Sequence, residues 1–247
     1  MLDGARIVVV VPAFNEEERI GRVLGTMPAV VDEILVVDDA SDDATAARAR
    51  ASADGRTRVL VHAVNRGVGA AIAMGYRAAL ASGGGPRDAF VVMAGDGQMD
   101  PADLPALASP IARGDADYVK GNRFIHPELG KTMPPARRLG GIVFSRLTSM
   151  AIGQPVHDSQ CGYTAISRAA CDRLDLDGLW PRYGSPNDLR GQAAVRGMRI
   201  REVCVRPIYA GERSGLRVWH VGRIAQLVGR AWVRRVTGRG GTIVTSD

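Results

Sequence analysis

The chain has 247 residues and a mass of 26.2 kDa, with 46% hydrophobic and 23% charged residues. That mixture is the composition of a soluble globular protein and excludes a disordered, fibrous or membrane-spanning chain. The net charge is +6, and because Lys120 and Lys131 are the only lysines the surplus is arginine, the side chain suited to bidentate recognition of phosphate and carboxylate. Nucleotide sugars, lipid phosphates and anionic membranes fit such a surplus. With only 5% aromatics and no basic low-complexity run, nucleic acid is not an expected partner.

Apolar β-branched runs predict strands over 6–12, 33–39, 58–63 and 89–94, alternating with helical patterns over 16–27, 43–53 and 68–81. Asn15 is placed to N-cap the first helix, and the Gly83–Gly85 run with Pro86 ends the third. A fourth helix is expected to start at Pro101. In the second half, strands are predicted over 118–121, 162–167 and 199–207, and helices over 136–152 and 186–196. Alternation of this kind predicts an α/β fold with a mostly parallel sheet. A last helical pattern, 216–236, mixes Trp219 and Trp232 with five arginines; it either packs on the domain or lies on an anionic leaflet.

The longest apolar stretch, Ile7 to Phe14, is interrupted by Pro12 and falls short of the roughly 18 to 20 residues of a spanning helix. Three glutamates follow it, unlike a signal peptide. The expectation is a cytoplasmic protein, peripheral on the inner face of the membrane if the basic helix binds there. Cys161, Cys171 and Cys204 lack metal-ligand spacing, which predicts buried free thiols in a reducing compartment.

In an open parallel sheet, ligands bind beyond the carboxyl ends of the strands. Here those ends read P-A-F-N-E-E-E from Pro12, V-V-D-D-A-S-D-D-A-T from Val36, N-R-G-V-G-A-A from Asn65 and A-G-D-G-Q-M-D-P from Ala94. G-N-R-F from Gly121, the segment from Arg137 to Ser145 and D-S-Q-C-G-Y from Asp158 follow.

These motifs, in this order, resemble family 2 glycosyltransferases of the GT-A fold, and within them the polyprenyl-phosphate hexosyltransferases related to dolichol-phosphate mannose synthase. The resemblance covers roughly residues 6 to 215. It implies a single Rossmann-like domain over 1–215 with a mixed, mostly parallel central sheet flanked by helices. A nucleotide-sugar half would occupy about 1–97 and an acceptor half 98–215, with 216–247 as a basic helix and tail. By the same resemblance Pro12, Phe14, Asn15 and Glu16 line the nucleoside pocket, and Asp39 bonds the base or ribose.

Asp96 with Gln98 resembles the metal-binding end of a D-x-D-x-Q motif, for Mg²⁺ or Mn²⁺. Hard oxygen ligands suit either ion, and phosphate and water complete the shell. Ala94 replaces the motif's first aspartate, and Asp100 compensates only if its loop turns inward; otherwise it caps the helix at Pro101. Asp38 is read as bonding neighbouring backbone, and Ser41 and Asp42 as shaping a turn. Gly67 and Gly69 precede a helix N-terminus, a favourable place for a phosphate unless they serve close packing.

Arg123 and Arg138, with Ser145, resemble the grip on an acceptor phosphate. A phosphomonoester, with a second pKa of about 6, attacks without a base, whereas a hydroxyl acceptor needs a positioned carboxylate. Asp158 is the first candidate for that role and Asp188 the second; His157 is read as structural. Glu212, Arg213 and Ser214 occupy the place of a loop that closes over the donor. Three activities remain open: hexosyl or N-acetylhexosaminyl transfer to a polyprenyl phosphate, the same chemistry onto a soluble hydroxyl, and a non-catalytic nucleotide-sugar sensor suggested by Ala94.

Overall fold

A computed structural model describes residues 1–182 and 184–208. The predicted helix over 216–236 and the Glu212–Ser214 loop lie outside the described residues. Seven strands, β1 (Ile7–Ala13), β2 (Glu33–Asp38), β3 (Thr57–Val61), β4 (Ala89–Val92), β5 (Tyr118–Asn122), β6 (Thr164–Ser167) and β7 (Ile200–Cys204), form one sheet. Their order is β3-β2-β1-β4-β6-β5-β7. Only β6 pairs antiparallel, with β4 on one side and β5 on the other, so it alone runs against the other six.

The helices are α1 (Ile20–Gly25), α2 (Thr45–Ala51), α3 (Val68–Ala81), α4 (Leu104–Ala112), α5 (Leu129–Thr132), α6 (Pro135–Ile152), α7 (Arg168–Cys171) and α8 (Ser185–Val195). They cover both faces of the sheet. Val9, Val11, Ile34, Val36 and Val91 pack with α1 and α4 through Ile20, Val23, Leu104 and Leu107. Val8, Val10, Leu35, Val37 and Phe90 pack on the opposite face with α3 and α8 through Ile72, Tyr76 and Leu189. Covering both faces explains why β1 and β2 read as unbroken apolar runs rather than alternating ones.

The expected α/β sandwich is present, with several bounds corrected. The first helix begins at Ile20, not at Glu16, because Asn15 turns through a positive φ of 56° and the next residues form a turn. Its N-cap is Arg19, so Asn15 does not cap it. β3 stops at Val61, opposite the last residue of β2, and β7 stops at Cys204, opposite the end of β5. At Pro101 a 3-10 turn, Pro101–Asp103, precedes α4. All three cysteines are free, but only Cys161 and Cys171 are buried; Cys204 is exposed, which departs from the expectation.

Candidate active site

Because β1, β2, β4, β5 and β7 run parallel, their carboxyl ends share one edge of the sheet. The reversed β6 enters the sheet from that same edge, with Thr164 opposite Val92 and Lys120. The motif beginning at Asp158, although it precedes a strand, therefore joins motifs that follow strands.

The loops after β1 and β2 are sewn together. The Ser41 hydroxyl accepts from Asn15 N at 2.9 Å, the Asn15 side-chain oxygen accepts from Asp42 N at 3.0 Å, and the Thr45 hydroxyl accepts from Glu16 N at 2.7 Å. Asn15 thus holds the two loops together, with its left-handed backbone a conformation asparagine tolerates well. Pro12 is buried beneath this junction, Phe14 is exposed at its surface, and Glu16 pairs with Arg19 at 3.0 Å. Asp38 accepts from the Ser41 hydroxyl and backbone, as the local-bonding reading expects.

Asp39 is buried, and its carboxylate has three partners: His62 Nδ1 at 2.6 Å, Arg66 N at 2.9 Å and Gly67 N at 2.6 Å. The carboxylate expected to meet base or ribose is therefore first a clamp on the chain entering α3. The phosphate cradle suggested by Gly67 and Gly69 is not present in that form. Pro181 O accepts from Gly69 N at 2.8 Å and from Ala70 N at 3.3 Å, occupying the helix N-terminus. A Cβ at Gly69 would lie 2.0 Å from Trp180 O, so this glycine serves close packing of the 180–181 backbone.

At the end of β4, Asp96 and Gln98 are half-buried, and Asp96 Oδ1 accepts from Gln98 N at 3.0 Å. Ala94 N donates to Met99 Sδ at 3.3 Å. Asp100 does not replace the missing aspartate: it N-caps the 3-10 turn by accepting from Ala102 N at 3.0 Å and lies 3.6 Å from Arg206. Among the described residues no three His, Cys, Asp or Glu side chains gather as a metal cluster. A carboxylate and an amide oxygen at a polar strand end still fit a hard divalent cation that takes most of its ligands from a diphosphate and water.

Beyond β5 the edge centres on a buried ion pair. Asp158, 1% exposed, receives Arg123 Nε at 2.8 Å and Nη2 at 2.9 Å, together with Arg123 N at 3.1 Å and Gln160 N at 3.2 Å. Burial raises the Asp158 pKa, but the hydrogen bonds and charge of Arg123, helped by Lys120, outweigh it and hold the carboxyl below its ordinary 3.8. Arg123 keeps 18% of its side chain exposed.

Ser145 is buried on α6, where its hydroxyl accepts from Ser159 N at 3.0 Å, so it fixes the loop bearing Asp158. Arg138 is exposed on the first turn of α6 and makes no ion pair with any described residue. The structure thus ties together Arg123, Asp158 and Ser145, while Arg138 stands two helical turns before Ser145 on α6. Asp188, the second base candidate, is buried with Oδ2 accepting from Trp180 N at 2.9 Å.

Two groups at this edge escape the motif reading. Lys120, one of the two lysines, is fully buried in β5 with Nζ donating to Cys161 O at 2.5 Å. Burial lowers its pKa to about 8, with Asp158 acting in the opposite direction. A lysine directly after Tyr118 and Val119 in a strand pattern is the signal that marks it. Glu202, from β7, accepts from Asn122 Nδ2 at 2.9 Å and Arg190 Nη1 at 2.9 Å, and pairs with His157 Nδ1 at 2.8 Å. His157 is exposed, and its partner lies 45 residues away, beyond the reach of any spacing rule.

The glycosyl transferase family 2 sequence profile matches residues 8–175. The chain belongs to that family. Its relatives include the undecaprenyl-phosphate mannosyltransferase of Micrococcus luteus, 32% identical, with 85% of each chain covered. The polyprenol monophosphomannose synthase of Mycolicibacterium smegmatis is also 32% identical, covering 85% of this chain and 78% of its own. Among solved structures, glucosyl-3-phosphoglycerate synthase from Mycobacterium tuberculosis, with Mn²⁺, uridine diphosphate and phosphoglyceric acid bound, superposes with a TM-score of 0.69 at 24% identity. The match covers 98% of this chain and 81% of that one, and the likeness is one of fold. This family 2 glycosyltransferase has no helix, among the described residues, long and apolar enough to cross a membrane.

Proposed function

We propose that this glycosyltransferase moves a hexose or N-acetylhexosamine from a nucleotide-diphosphate sugar to a polyprenyl phosphate with inversion at the anomeric carbon. The observation that carries the choice of acceptor is the state of Asp158. A hydroxyl acceptor needs a general base with a pKa near the working pH. The Asp158 carboxylate is committed to four donors and held below the ordinary carboxylate range. A phosphate acceptor needs no base, because it is largely dianionic at pH 7. The sequence relatives, named as an undecaprenyl-phosphate mannosyltransferase and a polyprenol monophosphomannose synthase, support the same choice.

In this reading the half up to about residue 97 binds the donor. Phe14 offers an exposed aromatic face for the base, beside Pro12, Asn15 and Glu16, and Asp39 fixes the adjoining chain. Asp96 and Gln98 would hold a divalent cation, Mg²⁺ or Mn²⁺, which when bound neutralises the departing diphosphate. The half from 98 to about 215 binds the acceptor, whose phosphate is gripped by Arg123, held in orientation by Asp158, with Arg138 at the entrance.

The acceptor phosphate oxygen forms the new bond to the anomeric carbon as the bond to the donor diphosphate breaks, and the nucleoside diphosphate leaves with the electron pair. Transfer from labelled nucleotide sugars should occur to polyprenyl phosphate and not to the corresponding polyprenol. Arg123→Ala should abolish transfer while nucleotide binding persists. Turnover of polyprenol or a sugar hydroxyl, with none of the phosphate, would refute the reading. Metal-dependent turnover of any nucleotide sugar would also rule out the non-catalytic sensor.

A further inference from the structure

Beneath the edge where Arg123 and Asp158 meet, β5 buries a charge that the motifs and the proposed chemistry leave unused. Lys120, 0% exposed, stands three residues before Arg123, and its ammonium donates to the carbonyl of Cys161, three residues after Asp158. One side chain thus joins the strand carrying the arginine to the loop carrying its carboxylate. In the sheet register Lys120 lies opposite Thr164 of β6 and Glu202 of β7.

The charged groups around it come from several elements. β5 itself supplies Arg123, the loop before β6 supplies Asp158, α8 supplies the buried Arg190 and β7 supplies Glu202. Arg123 pairs with Asp158 at 2.8 Å and Arg190 with Glu202 at 2.9 Å, while His157 meets Glu202 from the surface. The charges of the two arginine–carboxylate pairs cancel. Lys120 makes no ion pair with any described residue, so its charge is the one left over among these five groups. The Cys161 thiol and the Tyr118 and Tyr76 hydroxyls are pushed up by burial, and none of them ionises near pH 8. A buried cation without its own carboxylate is costly, and an anion brought close offsets that cost.

We propose that Lys120 is a positioning residue for the acceptor: its ammonium straps the Asp158 loop to β5 and supplies a surplus positive charge that an incoming phosphate complements. This rests on the polyprenyl-phosphate reading of the site. Being fully buried, Lys120 acts through the Arg123–Asp158 pair and through its field, not by contact with the phosphate.

Linkage gives this role a signature. Burial lowers the Lys120 pKa to about 8, so the charge is full below that pH and is lost as pH rises through it. A dianionic phosphate favours the charged form and therefore binds the protonated enzyme more tightly. The phosphate adds no titration of its own there, because its second pKa is about 6.

The test is transfer to polyprenyl phosphate in neutral detergent micelles from about pH 7 to 9.5, with calorimetry of its binding at about pH 8.5 in two buffers of different ionisation enthalpy. In the wild type the KM for polyprenyl phosphate should rise about five- to ten-fold across that range, with kcat changed far less. Binding at pH 8.5 should take up about half a proton. Lys120→Met should show the high KM throughout and no proton uptake, with nucleotide binding unchanged. A merely structural strap would give no uptake in the wild type either. Uptake that survives in Lys120→Met, or a wild-type KM flat with pH, would overturn the proposal while leaving the acceptor reading intact. Failure to bind or glycosylate polyprenyl phosphate at any pH would refute that reading and this proposal with it.

Discussion

Replacing Asp158 by asparagine perturbs both the stability and the chemistry of the acceptor side. The native carboxylate is 1% exposed and accepts two bonds from the Arg123 guanidinium, at 2.8 and 2.9 Å, and two from backbone N–H groups, at 3.1 and 3.2 Å. Asparagine keeps one acceptor oxygen, turns an NH₂ toward a guanidinium that can only donate, and leaves the arginine charge without its partner. Breaking a buried pair in this way costs about 3–5 kcal/mol. For a chain of this size that corresponds to a fall in Tm of roughly 6–20 °C.

The pH dependence fixes the cause. A carboxylate whose folded pKa lies below its unfolded value stabilises the fold above the unfolded pKa and loses that contribution as pH falls through the folded one. Asp158 is lowered from 3.8. The gap between wild type and Asp158→Asn, followed by thermal unfolding, should therefore be full at pH 6 to 8, as a value of about 4 for the unfolded chain requires, and should narrow only in acid. Arg123→Met should cost a similar amount, and the double variant less than the sum of the two. A gap under about 1 kcal/mol at pH 7, or one that does not narrow in acid, would show that this pair does not hold the loop.

Other outcomes follow from the same geometry. Lys120→Met should remove an alkaline rise in stability: the folded pKa of about 8 lies below the ordinary 10.5, so wild type carries a penalty below pH 8 that fades towards pH 10.5, by up to about 3 kcal/mol. Equal slopes for the two proteins in urea unfolding between those pH values would contradict it. Gly69→Ala should lower stability by about 1–3 kcal/mol or more, because its Cβ would press on Trp180 O at 2.0 Å, as thermal unfolding would register. His157→Ala should leave kcat within a few-fold of wild type; a fall of about 10² or more would make His157 a general base after all.

Much of the fold and part of the site could be read from sequence, for a local reason. Strands such as β1 and β2 announce themselves because burial on two faces demands unbroken apolar residues, and the polar runs after them mark the ligand edge. Asp96, Gln98, Arg123 and Asp158 are singled out by motif, and the structure places them in the loops at the ligand edge of the sheet.

Pairings across long sequence separations were not legible. Arg123 and Asp158, two separate groups in the motif reading, are bonded to each other across 35 residues, which makes Asp158 a partner that orients Arg123. Gly69 looked like a phosphate cradle until Pro181 was placed on its amide. Lys120 and Glu202 carried no motif at all.

What the sequence determined by itself is the layering, the ligand edge and the segregation of charge, carboxylates on the donor side and arginines beyond them. Tertiary structure alone decided the direction of β6. No periodicity encodes whether a four-residue strand runs up or down, since its side chains alternate identically either way. That reversal carries Asp158 to the edge where Arg123 waits.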